Sequence, residues 1–513
     1  MRKPDILYLI TDQQRFDTIR ALGNLSIHTP NLDRLVARGL SFQQAYSPCP
    51  VCVPARYVMR TGCEPATTGY SELWRDRQFT ENSVRDRCGP YLAERMGELG
   101  YRTFGIGKFH TDPWDEDIGF EDYLHTWEYF GSPAMREADP YANWIRENHP
   151  TFDYLDELYG ERTEMYYVPQ TRALQAELCA ETWCTDRAIE RIQPSSDADD
   201  RPYFGVVSFI GPHPPFAPPT PFNRMYDPDS MSAPVRGDRA TDHMDEQIPW
   251  MNRIIWAEDI NEPWAKILKA RYYGEISFID SCIGRILDAV EAAPDSDNVL
   301  ICFCSDHGDH LGDHRAWQKE SFFDASARIP FLVSWPAQLP GNEQRDDLVS
   351  LTDLFGLATG AAGHPEPREG IDLLASLRAP EHGREILFGT HSQPGGERFK
   401  IMARDHRWKY IFMSNGGREQ LFDIDRDPHE FDNLADKDPG RVAKLKAAAE
   451  LHCLEGSARD ALDEKGHLKT FPHFQRTNAA PYNQGQRVLQ FDQSRSVQSF
   501  ASPAPTDRAE NHP

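Results

Sequence analysis

Residues 305–314 read SDHGDHLGDH, with three Asp and three His in ten residues, directly after the apolar run VLICFC. Asp306 and His307 stand where that run ends and can face one cation. The same stretch can also be a solvated loop of local hydrogen bonds. Asp309, His310, Asp313 and His314 are better suited to orienting the first ligands or the loop itself. A second donor pair, Asp12 and Gln13, follows DILYLI. A carboxylate and an amide carbonyl are hard oxygen donors that suit Ca²⁺, Mg²⁺ or Mn²⁺, although Asp after a strand is commonly a cap. GIGKFHTD places Lys108 and His110 two apart, on one side if the strand continues, as an anion-binding pair. GPHPPFAPP holds His213 in a proline-stiffened loop that suits a catalytic imidazole or a structural one. Lys319, in WQKESFF, follows the His-rich loop closely enough to share its pocket, though by itself it reads as an exposed lysine.

The stretch SPCPVCVPARYVMRTG raises a different possibility. Its CxxC pair, Cys49 and Cys52, could bind metal or do redox chemistry. Zinc needs a second pair of ligands, and no second CxxC exists. A thioredoxin-like motif needs a strand–CxxC–helix context that is only loosely met. Cys52 lies just before Pro54 at the start of a helix, where backbone N–H groups stabilise anions. Arg56, one turn in, adds a fixed positive charge. That is a good place for a nucleophile that develops negative charge, and it leaves Cys49 as a packing or turn residue.

These residues need strand ends to bring them together. DILYLI, YRTFGIG, YFGVVSFIG, NVLICFCSD and IPFLVSW read as strands, the longer runs buried on both faces. TPNLDRLVARG, YLAERMGELG, the long segment from Pro263 to Ala293 and LVSLTDLFGLATGAAG read as helices, the first with Thr29 as N-cap and Pro30 at its first position. The alternation predicts an α/β fold, a large, mostly parallel sheet sandwiched by helices, with ligands at the carboxyl ends of the strands. From about residue 380, EILFGTH, FKIMARD, RWKYIFM and EQLFDID predict a small antiparallel sheet closed by a helix near PGRVAKLKAAAEL. The expected division is a catalytic domain over 1–375, an α+β subdomain over 380–465 and a polar arm over 466–513. Segments 126–170 and 222–262 lack periodicity and read as long, functional insertions.

The chain has 513 residues and a formal net charge of −25. That charge argues against nucleic-acid binding and means that an anionic substrate must meet a locally basic pocket. Ten cysteines in a chain this long are not a disulfide scaffold, and buried thiols account for most of them. No run reaches the roughly 18 apolar residues that span a membrane. As it stands the chain is expected to be cytoplasmic, and periplasmic or secreted if a leader has been removed. Oligomeric state is not readable.

CVPAR followed by YVMRTG resembles the signature of the type I, formylglycine-dependent sulfatases, C-x-P-[SA]-R-x-x-x-[LM]-T-G, in the alkaline phosphatase superfamily. The chain departs from it by one inserted-looking position, Met59 and Arg60 ahead of Thr61 and Gly62. DILYLITDQQRFD, TPNLDRLVARGLSFQQAY, GYRTFGIGKFH and SDHGDHLGDHRAWQKESFFDASARIPFLV are similar to successive blocks of that family, and EQLFDIDRDPHEFDNLA to its C-terminal part. The resemblance implies an alkaline phosphatase-like fold and oxidation of Cys52 to formylglycine by a formylglycine-generating enzyme. It also implies a hydrated aldehyde that attacks sulfur and then expels sulfate by C–O cleavage. It assigns the metal to Asp12, Gln13, Cys52, Asp306 and His307, with Ca²⁺ first and Mn²⁺ or another divalent ion admitted by the imidazole. Arg56 is assigned to the formylglycine alkoxide, Lys108, His110 and Lys319 to the sulfuryl charge, and His213 to protonation of the leaving alcohol. The base is Asp306 or His110. A phosphonate monoester or phosphodiester hydrolase is the alternative, and the Lys108–His110 pair favours sulfate. Loops 70–80, 126–170 and 222–262, with Trp74, Arg75, Trp127 and His243, suit a sulfated carbohydrate with acidic groups. An aryl or choline-like sulfate stays open.

Overall fold

The computed structural model describes residues 2–73, 83–128, 132–151, 166–169, 171–172, 174–193, 199–242 and 244–476. Trp74, Arg75, His243 and the arm beyond residue 476 lie outside the described residues.

Hydrophobic alternation builds the main sheet. In β1 (Asp5–Thr11), Ile6, Tyr8 and Ile10 enter one core while Leu7 and Leu9 enter the other. In β6 (Val299–Ser305), Leu300, Cys302 and Cys304 join the first core and Val299, Ile301 and Phe303 the second. The first core is closed by helices Cys52–Thr61, Leu92–Glu98 and Asp353–Ala361. The second is closed by Pro30–Arg38, Ala180–Ile192 and Glu262–Glu291. All ten cysteines are buried and free, as the composition suggests.

The remaining strands of the eight-stranded sheet are β2 (Leu40–Tyr46), β3 (Arg102–Gly107), β4 (Asp122–His125), β5 (Tyr203–Ser208), β7 (Phe331–Ser334) and β8 (Glu343–Ser350). Their order is β4-β3-β5-β1-β6-β7-β2-β8. Every pairing is parallel except those of β7 with β6 and β2. β2 is the strand that the resemblance places after the first helix, and β4 and β8, at the two edges, are additions to the expected strands. LVSLTDLFG was expected to be helical throughout, but Leu348–Ser350 completes β8 and the helix starts at Asp353. The nonperiodic segments also hold helices, Pro133–Ala138, Pro140–Asn148 and Gln247–Ile254.

Register aligns the strand ends. Thr11 pairs with Ser305, Ile10 with Ser208, and Gly107 with Ser208. Asp12, Asp306 and Lys108 therefore leave the sheet at one edge. At Gly107, φ is 103° and a Cβ would lie 1.9 Å from the Ser208 carbonyl oxygen, so only glycine lets β3 end this close to β5.

The small sheet is antiparallel, with strands β9 (Leu387–His391), β10 (Lys400–Arg404), β11 (Trp408–Met413) and β12 (Arg418–Asp423) in sequential order. Helix Pro439–Glu455 packs on one face through Val442, Leu445 and Ala449. The other face packs Leu387, Met402, Ile411 and Phe422 against Phe322 and Phe323, three and four residues beyond Lys319. Lys409, fully buried, pairs there with Asp324 and Glu430.

Candidate active site

Cys52 is the first residue of helix Cys52–Thr61, whose ten residues are all buried. The first turn leaves N–H groups without helical acceptors, a natural setting for an anionic nucleophile. The helix runs unbroken to Gly62, which closes it in the left-handed region at φ 67°. Counted along the signature, Arg60 stands at its [LM] position with Thr61 and Gly62 in place, so the departure is a substitution and not an insertion. Arg60 takes its place inside the helix, donates to the Arg56 and Phe109 carbonyls and lies over the Tyr57 ring.

Asp12, Cys52, Asp306 and His307 turn one donor atom each toward a common point, all within 4.8 Å of one another and all buried. His307 Nε2 is 3.1 Å from Cys52 Sγ and 3.5 Å from Asp306 Oδ1. Asp12 Oδ1 is 3.7 Å from the sulfur. Arg56 secures the other carboxylate oxygens: Nη2 donates to Asp12 Oδ2 at 2.9 Å and Nε to Asp306 Oδ2 at 3.0 Å. Its Nη1 donates to the Lys108 carbonyl at 2.5 Å and to Ser208 Oγ at 2.8 Å. One oxygen of each Asp is thus held by Arg56, and the other faces Cys52 and His307.

The His307 Nδ1–H donates to the Gly308 carbonyl (3.0 Å), which leaves Nε2 as a bare lone pair facing the carboxylates. Burial pushes this imidazole down to about 4, so it is neutral at neutral pH. Burial and the neighbouring Asp12 raise the Asp306 carboxyl. Two adjacent buried carboxylates, a lone-pair imidazole and a sulfur form a donor set that fits a divalent cation. Gln13 lies beside this set. Its Oε1 accepts from Lys319 Nζ (2.8 Å), and its amide nitrogen donates to Asp309 Oδ2 (2.5 Å). The later acidic and His residues do tie the loop. Asp309 accepts from Tyr167, His310 meets Ser321, Asp313 pairs with Arg15, and His314 with Asp242.

Lys319 is buried, contrary to its exposed appearance in sequence, and Nζ donates to Cys52 Sγ at 2.8 Å. Burial lowers its pKa, but Cys52 and Asp12 more than compensate and keep it cationic. Lys108 Nζ is 2.6 Å from Asp12 Oδ2. Burial would raise Asp12, yet Lys108 and Arg56, with His213 and Lys319 beyond them, hold it well below the usual carboxylate range.

One residue of the centre was not anticipated. The Glu128 carboxylate, three residues past β4, contacts Lys108 Nζ, lies 3.1 Å from His110 Nε2 and 3.7 Å from His213 Nδ1. Three of the candidate catalytic residues therefore converge on one anion. Lys108 and His110 meet there by a route other than strand alternation. β3 ends at Gly107, and His110 turns back with a φ of 51°. His213 Nδ1–H donates to the Pro214 carbonyl (2.7 Å), and burial, with Lys108 and Lys319 adding and Glu128 opposing, pushes it down to about 3. Cys49 takes no part; its thiol points to the Ser71 carbonyl at 3.5 Å.

The mixed sheet between two helical layers, with the small antiparallel sheet beside it, is the alkaline phosphatase-like architecture. The solved phosphonate monoester hydrolase of Agrobacterium radiobacter superposes on 92% of this chain and 100% of its own, with a TM-score of 0.72 and 24% identity. Residues 4–364 match the family model "Sulfatase", and residues 312–454 match "N-sulphoglucosamine sulphohydrolase, C-terminal". The chain belongs to the sulfatase family and is an enzyme that hydrolyses sulfate esters. It is 29% identical to an arylsulfatase of Clostridium perfringens, over 92% of this chain and 98% of that protein. It is 27% identical to an ulvan-active sulfatase of Formosa agariphila, over 85% and 78%. Among the described residues no helix is long and apolar enough to cross a membrane.

Proposed function

We propose that the enzyme releases inorganic sulfate from a sulfated carbohydrate, with residue 52 as a formylglycine nucleophile beside a divalent metal ion. The observation that carries this reading is the position of Cys52. It lies between the cation-type donor set of Asp12, Asp306 and His307 and the Lys319 ammonium. Formylglycine at residue 52 would supply a hydrated aldehyde as nucleophile, and the metal would polarise sulfate oxygens and favour the ionised nucleophile. Asp12, Asp306, His307 and residue 52 would hold the ion, with Gln13 at its edge. Ca²⁺ fits the carboxylates, and the His307 imidazole admits Mn²⁺.

The chain's own side chains do the rest. Arg56 fixes the two aspartates and the helix that carries residue 52. Lys319 stabilises negative charge on residue 52. Lys108, His110 and His213 receive the sulfuryl oxygens where Glu128 now sits, an electrostatic contribution preorganised by burial. His110 or His213 passes a proton to the leaving alcohol; His213, neutral in the substrate-free centre, must take up that proton as the anion binds. The relative active on ulvan supports a carbohydrate substrate, as do the Trp residues near the site. The likeness to the phosphonate monoester hydrolase supports the second reading, cleavage of phosphonate monoesters or phosphodiesters.

The test is mass spectrometry of the residue 52 peptide after coexpression with a formylglycine-generating enzyme, combined with sulfate release. Conversion of the thiol to an aldehyde, with sulfate freed from sulfated oligosaccharides, is expected. Faster cleavage of a phosphodiester than of a sulfate ester with the same leaving group would overturn the reading. So would full activity in Cys52→Ala.

A further inference from the structure

Next to the centre lies a cavity of about 330 Å³ that the reaction does not use. Trp114, Asp115, Asp117, Tyr123, His125 and Trp127 line it. Trp127 directly precedes Glu128, and Trp114 lies four residues after His110, so about 4 Å of backbone separates the first pair and no more than about 15 Å the second. The Trp114 and Trp127 rings stand edge to face with centroids 5.8 Å apart, and His125 packs on Trp127 at 4.1 Å.

The lining is pinned rather than loose. Trp127 N–H donates to Asp139 Oδ2 at 3.0 Å, and the Trp114 carbonyl accepts from Thr111 Oγ1 at 2.8 Å. Glu116, also in the wall, is occupied by the Tyr57 and Tyr91 hydroxyls. By contrast, Trp127 Nε1, His125 Nε2 and the Tyr123 hydroxyl have no hydrogen-bond partner, although Trp127 and His125 are over nine-tenths buried. These three atoms are shut off from solvent as well as unpartnered, so a ligand in the cavity reaches them only if the lining shifts. Asp115 and Asp117 are exposed at the rim.

The chemistry of this lining is selective. Aromatic faces take the C–H faces of a sugar ring, and the carboxylates at the rim take its hydroxyls. Among the described residues the lining contains no Lys or Arg. Burial, with His110 and Arg60 adding, holds His125 well below its usual range, so it brings no positive charge. A uronate or a second sulfate placed here would face like charges without a counterion, which costs affinity and rejects the wrong substrate. We propose that this cavity is a subsite for an uncharged hexose ring adjoining the sulfated ring of the substrate. The proposal rests on the carbohydrate reading above, and it reverses the expectation that acidic sugars are preferred.

Saturation-transfer NMR on the full-length, matured enzyme tests it with unsulfated galactobiose, mannobiose and cellobiose, and with a glucuronate-containing disaccharide. At least one neutral disaccharide should receive saturation, and the uronate should receive little. Trp114→Ala should reduce the neutral signal at least fivefold. Asp115→Lys, a surface change that the fold tolerates, should strengthen the uronate signal. Circular dichroism confirms that each variant is folded. Absence of signal from all three neutral disaccharides, or signals unchanged in both variants, overturns the subsite. Sulfate release from sulfated oligosaccharides is read separately. Neutral-sugar binding without such release sustains the subsite and sinks the carbohydrate-sulfatase reading, and release without neutral-sugar binding does the reverse.

Discussion

On the proposed reading the Glu128 carboxylate occupies the position of the incoming sulfuryl group, so replacing it should tighten anion binding. In Glu128→Gln the side chain keeps its shape and loses its charge. The carboxylate contacts the Lys108 ammonium and lies 3.1 Å from His110, with its side chain only 14% exposed. A unit ion pair at that distance is bounded by about 5 kcal/mol at an effective dielectric of 20. The net worth of a hydrogen bond to a charged group is smaller, about 1.5–3 kcal/mol, against about 1 kcal/mol for a neutral one. Over two such contacts, an incoming sulfate has about 1–4 kcal/mol less to displace in the variant, a range that includes the about 1.4 kcal/mol of a tenfold gain in affinity. The assay is inhibition of 4-nitrophenyl sulfate hydrolysis by inorganic sulfate, on protein whose residue 52 conversion is verified. The inhibition constant should fall about tenfold in the variant. A constant unchanged within twofold, or a weaker one, would show that Glu128 does not compete for the anion site.

Three further outcomes are expected. Lys319→Met removes the donor to Cys52 and Gln13, and kcat/KM for 4-nitrophenyl sulfate should fall about 10²–10³-fold with residue 52 still converted; a loss below threefold refutes its role. Asp306→Asn removes one ligand of the donor set. Metal content measured by mass spectrometry should drop below half, and chelation, which lowers the melting temperature of the wild type, should no longer do so; full metal content refutes the assignment. Glu320 is raised from its ordinary 4.5 to about 7, chiefly by burial. The folded state then binds more protons than the unfolded one between those values, so wild-type stability falls as pH rises through that window. Glu320→Gln should be increasingly more stable than wild type from pH 4.5 to 7, by at most about 3 kcal/mol above pH 7. Parallel stability curves in urea melts across that range refute it.

The centre was legible wherever a chemically pointed residue follows a long apolar run. Asp12, Lys108 and Asp306 follow β1, β3 and β6, and buried parallel strands end at one edge by register. Helix Cys52–Thr61 was equally readable from Pro54 and Arg56. The two edge strands were not. β8 begins with the polar run EQRDD and β4 is four residues long, so neither shows the apolar run of a central strand. Lys319 looked exposed because a lone lysine gives no sign of the Cys52 sulfur that holds it. Glu128 was hidden for a related reason. It sits in a nonperiodic segment, and its partners lie up to 85 residues away in sequence, at His213. Only the pairing of β4 with β3 brings it over Lys108.

Arg56 shows how the centre receives an anion within a chain of net charge −25. Its guanidinium donates to both aspartates, a backbone carbonyl and a hydroxyl, so it has little left for substrate and acts by fixing the aspartates. Among the described residues, the remaining lysines at the centre are Lys108 and Lys319. Among the described residues of the centre, Arg56, Lys108 and Lys319 face Asp12, Asp306 and Glu128, a balance of charge before any metal ion is counted. A divalent ion on the aspartates makes the centre locally positive despite the global field. On the proposed reading Glu128 leaves as the ester enters, one negative charge for another. That exchange is neutral for a sulfate monoester, which carries a single charge. A phosphate monoester carries about 1.5–2 at neutral pH, and seating it would leave additional negative charge beside Asp12 in a buried site, where charge imbalance is most costly.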